Sequence, residues 1–393
     1  MRTTTRAASA ALATLALVAT ACGSDAETVV DDASDAVEDA ADDVSDGAED
    51  IADDAQEAVD DATDDSTDDA TTDTTGDATA DTEEASEETT DDASADGETI
   101  RVAVVAPSAQ NDLAFTQSMV DSLDRVAEGR DIEVEFSDGL FVVEDGGAAL
   151  RGYAEDGVDL VIAHGTQYGG PLSEIAAEFP DTSFAYGTSS DNLGLDNVFA
   201  YTVRADQGGY VNGVMAAQLS ESGVIGVVGP VAAGDAALYV DGFVAGAAAQ
   251  DPAVEVNVNY IESFSDVALA AEAATAHVEN GADVLTGTAQ MVVGATGVAT
   301  DQGIPWFGTQ SNQVPLGEDI VVASQEYHWE VILNQILDAS AAGEAGSVFE
   351  LSLENGGLEM IFNDGYPLDA AVRTSADETI AGLTDGSITT GVE

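Results

Sequence analysis

Short β-branched runs alternate with helix-periodic stretches from Ile100 onward, and few architectures accept that alternation. Ile100–Val105 (IRVAVV) has the near-continuous apolar character of a parallel strand buried on both faces. Residues 115–129 follow with Phe115, Met119, Val120, Leu123 and Val126 on one face, as a helix packed on a sheet requires. Strand 132–136, helix 145–157, strand 158–163, helix 171–179 and strand 183–186 continue the series. After Gly223 the rhythm restarts, with strands at 224–228, 254–261, 283–285 and 304–307. Helices at 236–249, 267–280 and 291–301 separate them. Two such halves predict an α/β chain with two doubly wound parallel-sheet lobes. Ligands of open α/β sheets sit beyond the carboxyl ends of the strands. The expected contacts are therefore the post-strand loops 108–114, 164–168, 187–191, 229–235, 262–266, 286–290 and 308–313.

Composition narrows what such a cleft can hold. Of the 393 residues, 77 are acidic and 8 are basic, a formal net charge of −69, and all eight cations are arginines. Without lysine there is no phosphate-loop lysine, Schiff base or Ser–Lys pair. So negative a chain repels phosphate backbones, so nucleic acid is not an expected partner. A single cysteine, Cys22, excludes an intrachain disulfide, a Cys-rich zinc site and a CxxC redox pair. Residues 99–393 alone carry 45 acids and six arginines. That excess, with lysine avoided, suggests a salt-adapted source in which counterions screen self-repulsion. An acidic proteome without a salt requirement is the plainer alternative.

The first 98 residues read as targeting and tether. Arg2 and Arg6 precede a small-residue and apolar run over 7–21, long enough for a signal peptide and too short to span a bilayer. The run ends Val18-Ala19-Thr20-Ala21-Cys22-Gly23, which resembles a bacterial lipobox with Cys22 as the lipidated residue. Ordinary secretory cleavage is the alternative. Residues 23–98 hold 32 acids, no base, no proline and no aromatic residue. They lack the apolar surface to offset ordering entropy and are expected to be a disordered spacer spanning ~50 Å or more. Val30, Val37, Val44 and Ile51 recur every seven residues, but dense like charges oppose a helical seam there.

Four segments of the remainder resemble the basic membrane protein (BMP) family, the substrate-binding lipoproteins of ABC importers whose best-understood members are purine nucleoside receptors. Asp112-Leu113-Ala114-Phe115-Thr116-Gln117 is similar to the family's Asp-x-Ser-Phe-Asn-Gln. The stretch 203–213, with Arg204, Gly208, Tyr210 and Gly213, resembles its Phe-Arg…Gly-x-Tyr-x-x-Gly run at the first lobe crossing. Ser263-Phe264-Ser265-Asp266 resembles Ser-Phe-x-Asp, and residues 376–390 resemble its closing helix and Ile-x-x-Gly ending.

The resemblance implies a type I periplasmic-binding-protein fold with a three-crossover hinge. We expect a signal peptide over 1–21, a lipid anchor and linker over 22–98, lobe 1 over 99–205 with 309–345, and lobe 2 over 206–308 with 346–393. It also implies that Phe115 and Phe264 sandwich a purine from opposite lobes, where stacking contributes about 1–3 kcal/mol per base. Phe115 equally suits a helix core. Asp112 would either hydrogen-bond the ring or hold its own loop in an Asx-turn. Thr116 and His164 join the expected contacts, His164 as a pocket-wall hydrogen-bonder.

Departures from the family bear on the ligand. Nucleoside-binding relatives place carboxylates and a lysine around the ribose; here the corresponding positions hold Thr188, Gln310 and Asn312, and no lysine exists. Carboxylates accept paired sugar hydroxyls through charge-assisted bonds. Neutral groups suit a less hydroxylated ligand, so a purine base is expected over an intact nucleoside. No metal or cofactor motif occurs, and no nucleophile with an orienting base is evident. Three readings follow. The chain is a tethered receptor that docks an ABC permease, a monomer by family default; or it is a sensory module that presents its ligand to a membrane receptor; or, least supported, it is a hydrolase on the same fold.

Overall fold

A computed structural model describes residues 99–392 of the chain. The signal, lipobox and spacer expectations, Cys22 included, lie outside the described residues. Twelve strands and nine α-helices form two six-stranded sheets among the described residues. The first sheet takes β1 (Ile100–Val105), β2 (Ile132–Ser137), β3 (Leu160–His164), β4 (Ser183–Gly187), β5 (Val198–Val203) and β11 (Val348–Leu351), in the order β11-β5-β4-β3-β1-β2. All of its pairings are parallel. The second takes β6 (Val224–Gly229), β7 (Glu255–Tyr260), β8 (Val284–Gly287), β9 (Trp306–Gln310), β10 (Val321–Tyr327) and β12 (Leu358–Phe362), in the order β12-β10-β9-β8-β6-β7. Only the β10–β12 pairing is antiparallel.

Strand chemistry follows position. The central strands β3 (LVIAH) and β9 (WFGTQ) are buried throughout. The edge strands β2 (IEVEFS) and β7 (EVNVNY) mix apolar residues with Glu133, Glu135, Asn257 and Asn259, which suits a strand with one solvated side. Around the sheets lie α1 (Phe115–Ala127), α2 (Val143–Glu155), α3 (Gly169–Glu178), α4 (Ala205–Leu219), α5 (Gly234–Gln250), α6 (Val267–Glu279), α7 (Val292–Gln302), α8 (Glu330–Ala341) and α9 (Ala370–Thr384). Helix α1 buries Phe115, Met119, Leu123 and Val126, the face its periodicity marks.

The chain crosses between the sheets three times: at Arg204, at His328-Trp329, and between β11 and β12. This is the expected three-crossover topology, but the expected lobe boundaries need correction. Strand β10 completes the second sheet, so the return to lobe 1 comes at 328 and not at 309. Strand β11 pairs with β5 in lobe 1, although 346–393 were expected in lobe 2. Strands β5 and β10 lie beyond the simple βα rhythm because no α-helix separates them from β4 and β9, and β11 and β12 because the strands they pair with, β5 and β10, come much earlier in the chain.

Helices α4 and α5 pack backbone to backbone. A Cβ on Gly213 would stand 2.1 Å from the Phe243 carbonyl oxygen, and one on Gly246 2.0 Å from that of Tyr210. Gly209 and Gly213 of the 203–213 stretch therefore serve helix contact, whereas Gly208 makes room for the Gln325 side chain. Helix α8 is tied to α1 by Arg125, whose Nε and a terminal nitrogen donate to the two Glu330 oxygens at 2.8 and 3.0 Å.

Candidate ligand-binding site

A cavity of about 280 Å³ opens between the lobes at the carboxyl ends of the strands. Lobe 1 contributes Pro107, Phe115, Phe141 and Thr188; lobe 2 contributes Asp235, Phe264, Gln290 and Gln310. The lobes touch across it. Gln290 Nε2 donates to Ser108 Oγ at 2.8 Å, Thr188 Oγ1 donates to Asp235 Oδ1 at 3.1 Å, and Ser311 Oγ donates to the Ala114 carbonyl at 2.8 Å.

Of the eight expected contacts, Phe115, Thr188, Phe264 and Gln310 line the cavity. The other four do not. Asp112 accepts from the amides of Ala114, Thr116 and Gln117 at 2.9–3.1 Å and from Ser108 Oγ at 2.7 Å. Both carboxylate oxygens are engaged by the turn that starts α1, so the Asx-turn alternative is the one realised. Buried Thr116 meets Ser108 Oγ at 2.6 Å, away from the cavity. Exposed Asn312 accepts from the Val314 amide at 3.1 Å, in the turn that leads into a short 3-10 helix.

His164 sits behind Phe115 and does not line the cavity. The two rings stack with centroids 3.9 Å apart and planes 5° from parallel. Its Nε2 lies 3.1 Å from the Phe115 carbonyl oxygen, which can only accept, so that nitrogen carries the hydrogen. Nδ1 is then the acceptor for the Tyr201 hydroxyl at 2.7 Å. Burial holds the imidazole neutral, with its pKa pushed down to about 3 against a smaller opposing pull from the Phe115 carbonyl. Trp329 closes the cluster edge-on to Phe115, His164, Tyr201 and Tyr327, and its indole N–H donates to Ser118 Oγ at 2.8 Å. The first aromatic wall is thus braced from behind.

Phe141, Asp235 and Gln290 line the cavity and were not among the expected contact residues. Phe141 has no strand or helix signal around it, yet its ring lies 6.4 Å from that of Phe264 across the cleft. Asp235 belonged to an expected contact loop, but nothing in its neighbours distinguished it from a surface carboxylate. It is the one ionisable side chain lining the cavity. Besides Thr188, it has the Gln310 amide and the Tyr327 hydroxyl, 3.5 Å away, against it. Burial raises its pKa against the pull of those hydrogen bonds.

Left-handed backbone gathers at the same place. Leu113, Glu262, Ala289 and Gln310, with φ of 51°, 56°, 72° and 75°, lie at or just beyond strand carboxyl ends, and Leu193 at 59° is the fifth such non-glycine residue among those described. Such conformations cost of order 1–3 kcal/mol each and concentrate where side chains must be aimed. Among the described residues no group of three His, Cys, Asp or Glu side chains is placed to hold a metal ion. No described helix is long and apolar enough to cross a membrane.

Comparison with known proteins agrees with this geometry. Residues 99–379 match the family of PnrA-like ABC transporter substrate-binding proteins, Bmp. A purine-binding protein of Brucella abortus is 27% identical over 234 residues, covering 59% of this chain and 66% of its own length. A putative ABC transporter glucose-binding protein of Haloferax volcanii is 25% identical over 250 residues, covering 63% of each chain. The chain thus spans just under two thirds of those two relatives. A solved solute-binding protein of an ABC transporter system from Conexibacter woesei superposes with a TM-score of 0.61 at 25% identity, covering 74% of this chain and 98% of its own. Two parallel-sheet lobes, three crossings and a cleft at the strand ends are the type I architecture of periplasmic solute-binding proteins, and this chain belongs to the PnrA-like family of ABC transporter substrate-binding proteins.

Proposed function

We propose that this chain is the extracytoplasmic, lipid-anchored receptor of an ABC uptake system, and that it closes its lobes on a purine-type heterocycle, a free base in preference to a nucleoside. The observation that carries the ligand class is the pair Phe115 and Phe264, brought to one cavity from opposite lobes. Flat aromatic walls favour a planar ring, and each stacked base contributes about 1–3 kcal/mol. The volume of about 280 Å³ is at the low end for small-molecule sites, which favours a base over a base with its sugar. Neutral Thr188 and Gln310 support the same choice, since neither offers a carboxylate to paired ribose hydroxyls.

Closure supplies the signal. A ligand that contacts both lobes stabilises the closed form by its differential affinity for it, and the closed form is what a permease would read. Anchoring through Cys22 rests on the lipobox resemblance, and the acidic spacer would hold the lobes clear of the membrane. The glucose-binding name of the Haloferax volcanii relative favours a second reading, a hexose ligand. The three phenylalanines of the lining, Phe115, Phe141 and Phe264, argue against it.

Thermal melting of the protein in high salt, against nucleobases, nucleosides, hexoses and amino acids, tests the assignment. Ligand binding to the native state raises the melting temperature by mass action. A shift with adenine or guanine that exceeds those with their nucleosides is expected. A shift with hexoses alone would replace the purine assignment by the sugar one.

A further inference from the structure

The polar side chains buried around the cavity have a consistent polarity. Ser108 has one hydroxyl hydrogen, and it goes to Asp112 Oδ2 at 2.7 Å, an acceptor with nothing to give. Ser108 Oγ can therefore only accept from Gln290, 2.8 Å away, which fixes that amide with Nε2 on Ser108 and Oε1 free. Gln310 stands against the Asp235 carboxylate and must present its NH₂ there, which leaves its own Oε1 free. Both oxygens are buried and have no hydrogen-bond partner, and Gln310 is only 3% exposed. The Thr188 hydroxyl hydrogen is on Asp235 as well.

Three residues that line one space thus carry acceptors: the Asp235 carboxylate, Gln290 Oε1 and Gln310 Oε1. One N–H of Gln290 goes across the cleft to Ser108 and the Thr188 hydroxyl goes across it to Asp235, while the Gln310 amide turns to Asp235 within lobe 2. Thr166 and Gln167, the other polar side chains around the cavity, are more exposed than Gln310. A buried acceptor left without a hydrogen is costly, and the ligand is what can relieve it. Among the described residues no arginine lines the cavity to offset a second negative charge.

Resting on the purine-type reading above, we propose that Asp235, Gln290 and Gln310 form an acceptor triad that selects ligands rich in N–H donors, neutral or singly cationic, and rejects oxo-rich or anionic ones. Among planar heterocycles this means amino-substituted rings over their oxo counterparts, and bases over nucleotides. Asp235 is the specificity-determining residue of the three. Its carboxylate cannot reverse polarity, whereas either amide can be turned by a changed neighbour.

Calorimetric titration of the full chain with 2,6-diaminopurine, adenine, hypoxanthine, xanthine and AMP tests the idea, beside the pair 2,4-diaminopyrimidine and uracil. Diaminopurine should bind at least tenfold more tightly than xanthine, AMP should not bind measurably, and the pyrimidines should follow the same order. Asp235→Asn, the same size but able to donate, should reduce the diaminopurine-to-xanthine ratio to threefold or less. Gln290→Met, which also removes the tie to Ser108, should weaken the diamino ligands more than xanthine, and melting of each ligand-free variant checks its fold. Xanthine equal to or tighter than diaminopurine, or an unchanged ratio in the folded Asp235→Asn variant, would overturn the triad while purine binding stands. Binding confined to pyrimidines in the expected order would keep the triad and remove the purine assignment. Silence from both series would remove both.

Discussion

The two aromatic walls of the cavity differ in how they are held. Phe115 is 8% exposed, carried on the first turn of a helix, stacked on His164 and braced by Trp329. Phe264 is half-buried on a loop between β7 and α6, and its one close aromatic neighbour is Phe141, itself 44% exposed and on the other lobe. Lobe 1 therefore offers a preformed platform, whereas the lobe 2 wall gains its aromatic neighbour only when the lobes meet. Rigid aromatic surface binds with little ordering cost, and the second wall bears most of that cost on closure. Breaking one wall should cost stability, and breaking the other should cost affinity.

The largest effect is expected from Trp329→Ala. It removes a fully buried indole touching four other rings and should destabilise the chain by about 3–5 kcal/mol in denaturant unfolding. A loss below about 1 kcal/mol would mean that lobe 1 is not braced as described.

Acid should act on the same wall. His164 is neutral in the folded chain, with a pKa near 3 against an ordinary 6.5, so the unfolded chain binds its proton first. Stability should fall as pH drops from about 6.5 towards 3, by on the order of 2–4 kcal/mol. His164→Gln, which retains a donor and an acceptor, should remove that part of the acid sensitivity. Glu330 acts lower. Burial pushes its pKa up, but hydrogen bonds from His328 and Arg125 outweigh that and hold it at about 2. A depressed carboxylate stabilises fully above its unfolded value, so this contribution is lost only as pH falls from about 4.5 towards 2. Melting curves of Glu330→Gln should differ from the parent by about 2 kcal/mol at pH 7 and converge at the acid end.

Phe264→Ala tests the opposite wall. Affinity for the best base should drop at least tenfold, about 1.4 kcal/mol, with the melting temperature of the ligand-free protein nearly unchanged. Equal affinity in a folded variant would remove the sandwich. Phe141→Ala is the mildest, about threefold, since its ring is largely solvated. Salt bears on both lobes alike. With 45 acids against six arginines over 99–393, the melting temperature should climb as salt rises towards molar concentrations, and a flat profile would remove the salt-adapted reading.

Much of this was legible before any coordinate. The βα rhythm from Ile100 to Phe307 gave both lobes, because strand and helix periodicities are local properties of the chain. The rule that ligands meet strand ends gave the loops that hold Asp235, Gln290 and Gln310. Phe115 and Phe264 were legible from motif and position together. The expected contacts at Asp112, Thr116, His164 and Asn312 were not realised at the cavity, for one common reason. A polar residue in a post-strand loop has the same appearance in sequence whether it faces a ligand or caps the loop, and only its hydrogen-bond partners separate the two.

The sequence by itself determined the two-lobed parallel architecture, the absence of lysine and disulfide chemistry, and the pair of phenylalanines. These depend on composition, periodicity and short motifs, which are fixed along the chain. Only the tertiary structure decided that β10 belongs to lobe 2 and β11 to lobe 1, that His164 supports Phe115 from behind, and that Asp235, Gln290 and Gln310 line one cavity. Those facts depend on which residues distant in sequence are brought within hydrogen-bonding reach. The direction of each hydrogen then follows from the partner that folding supplies.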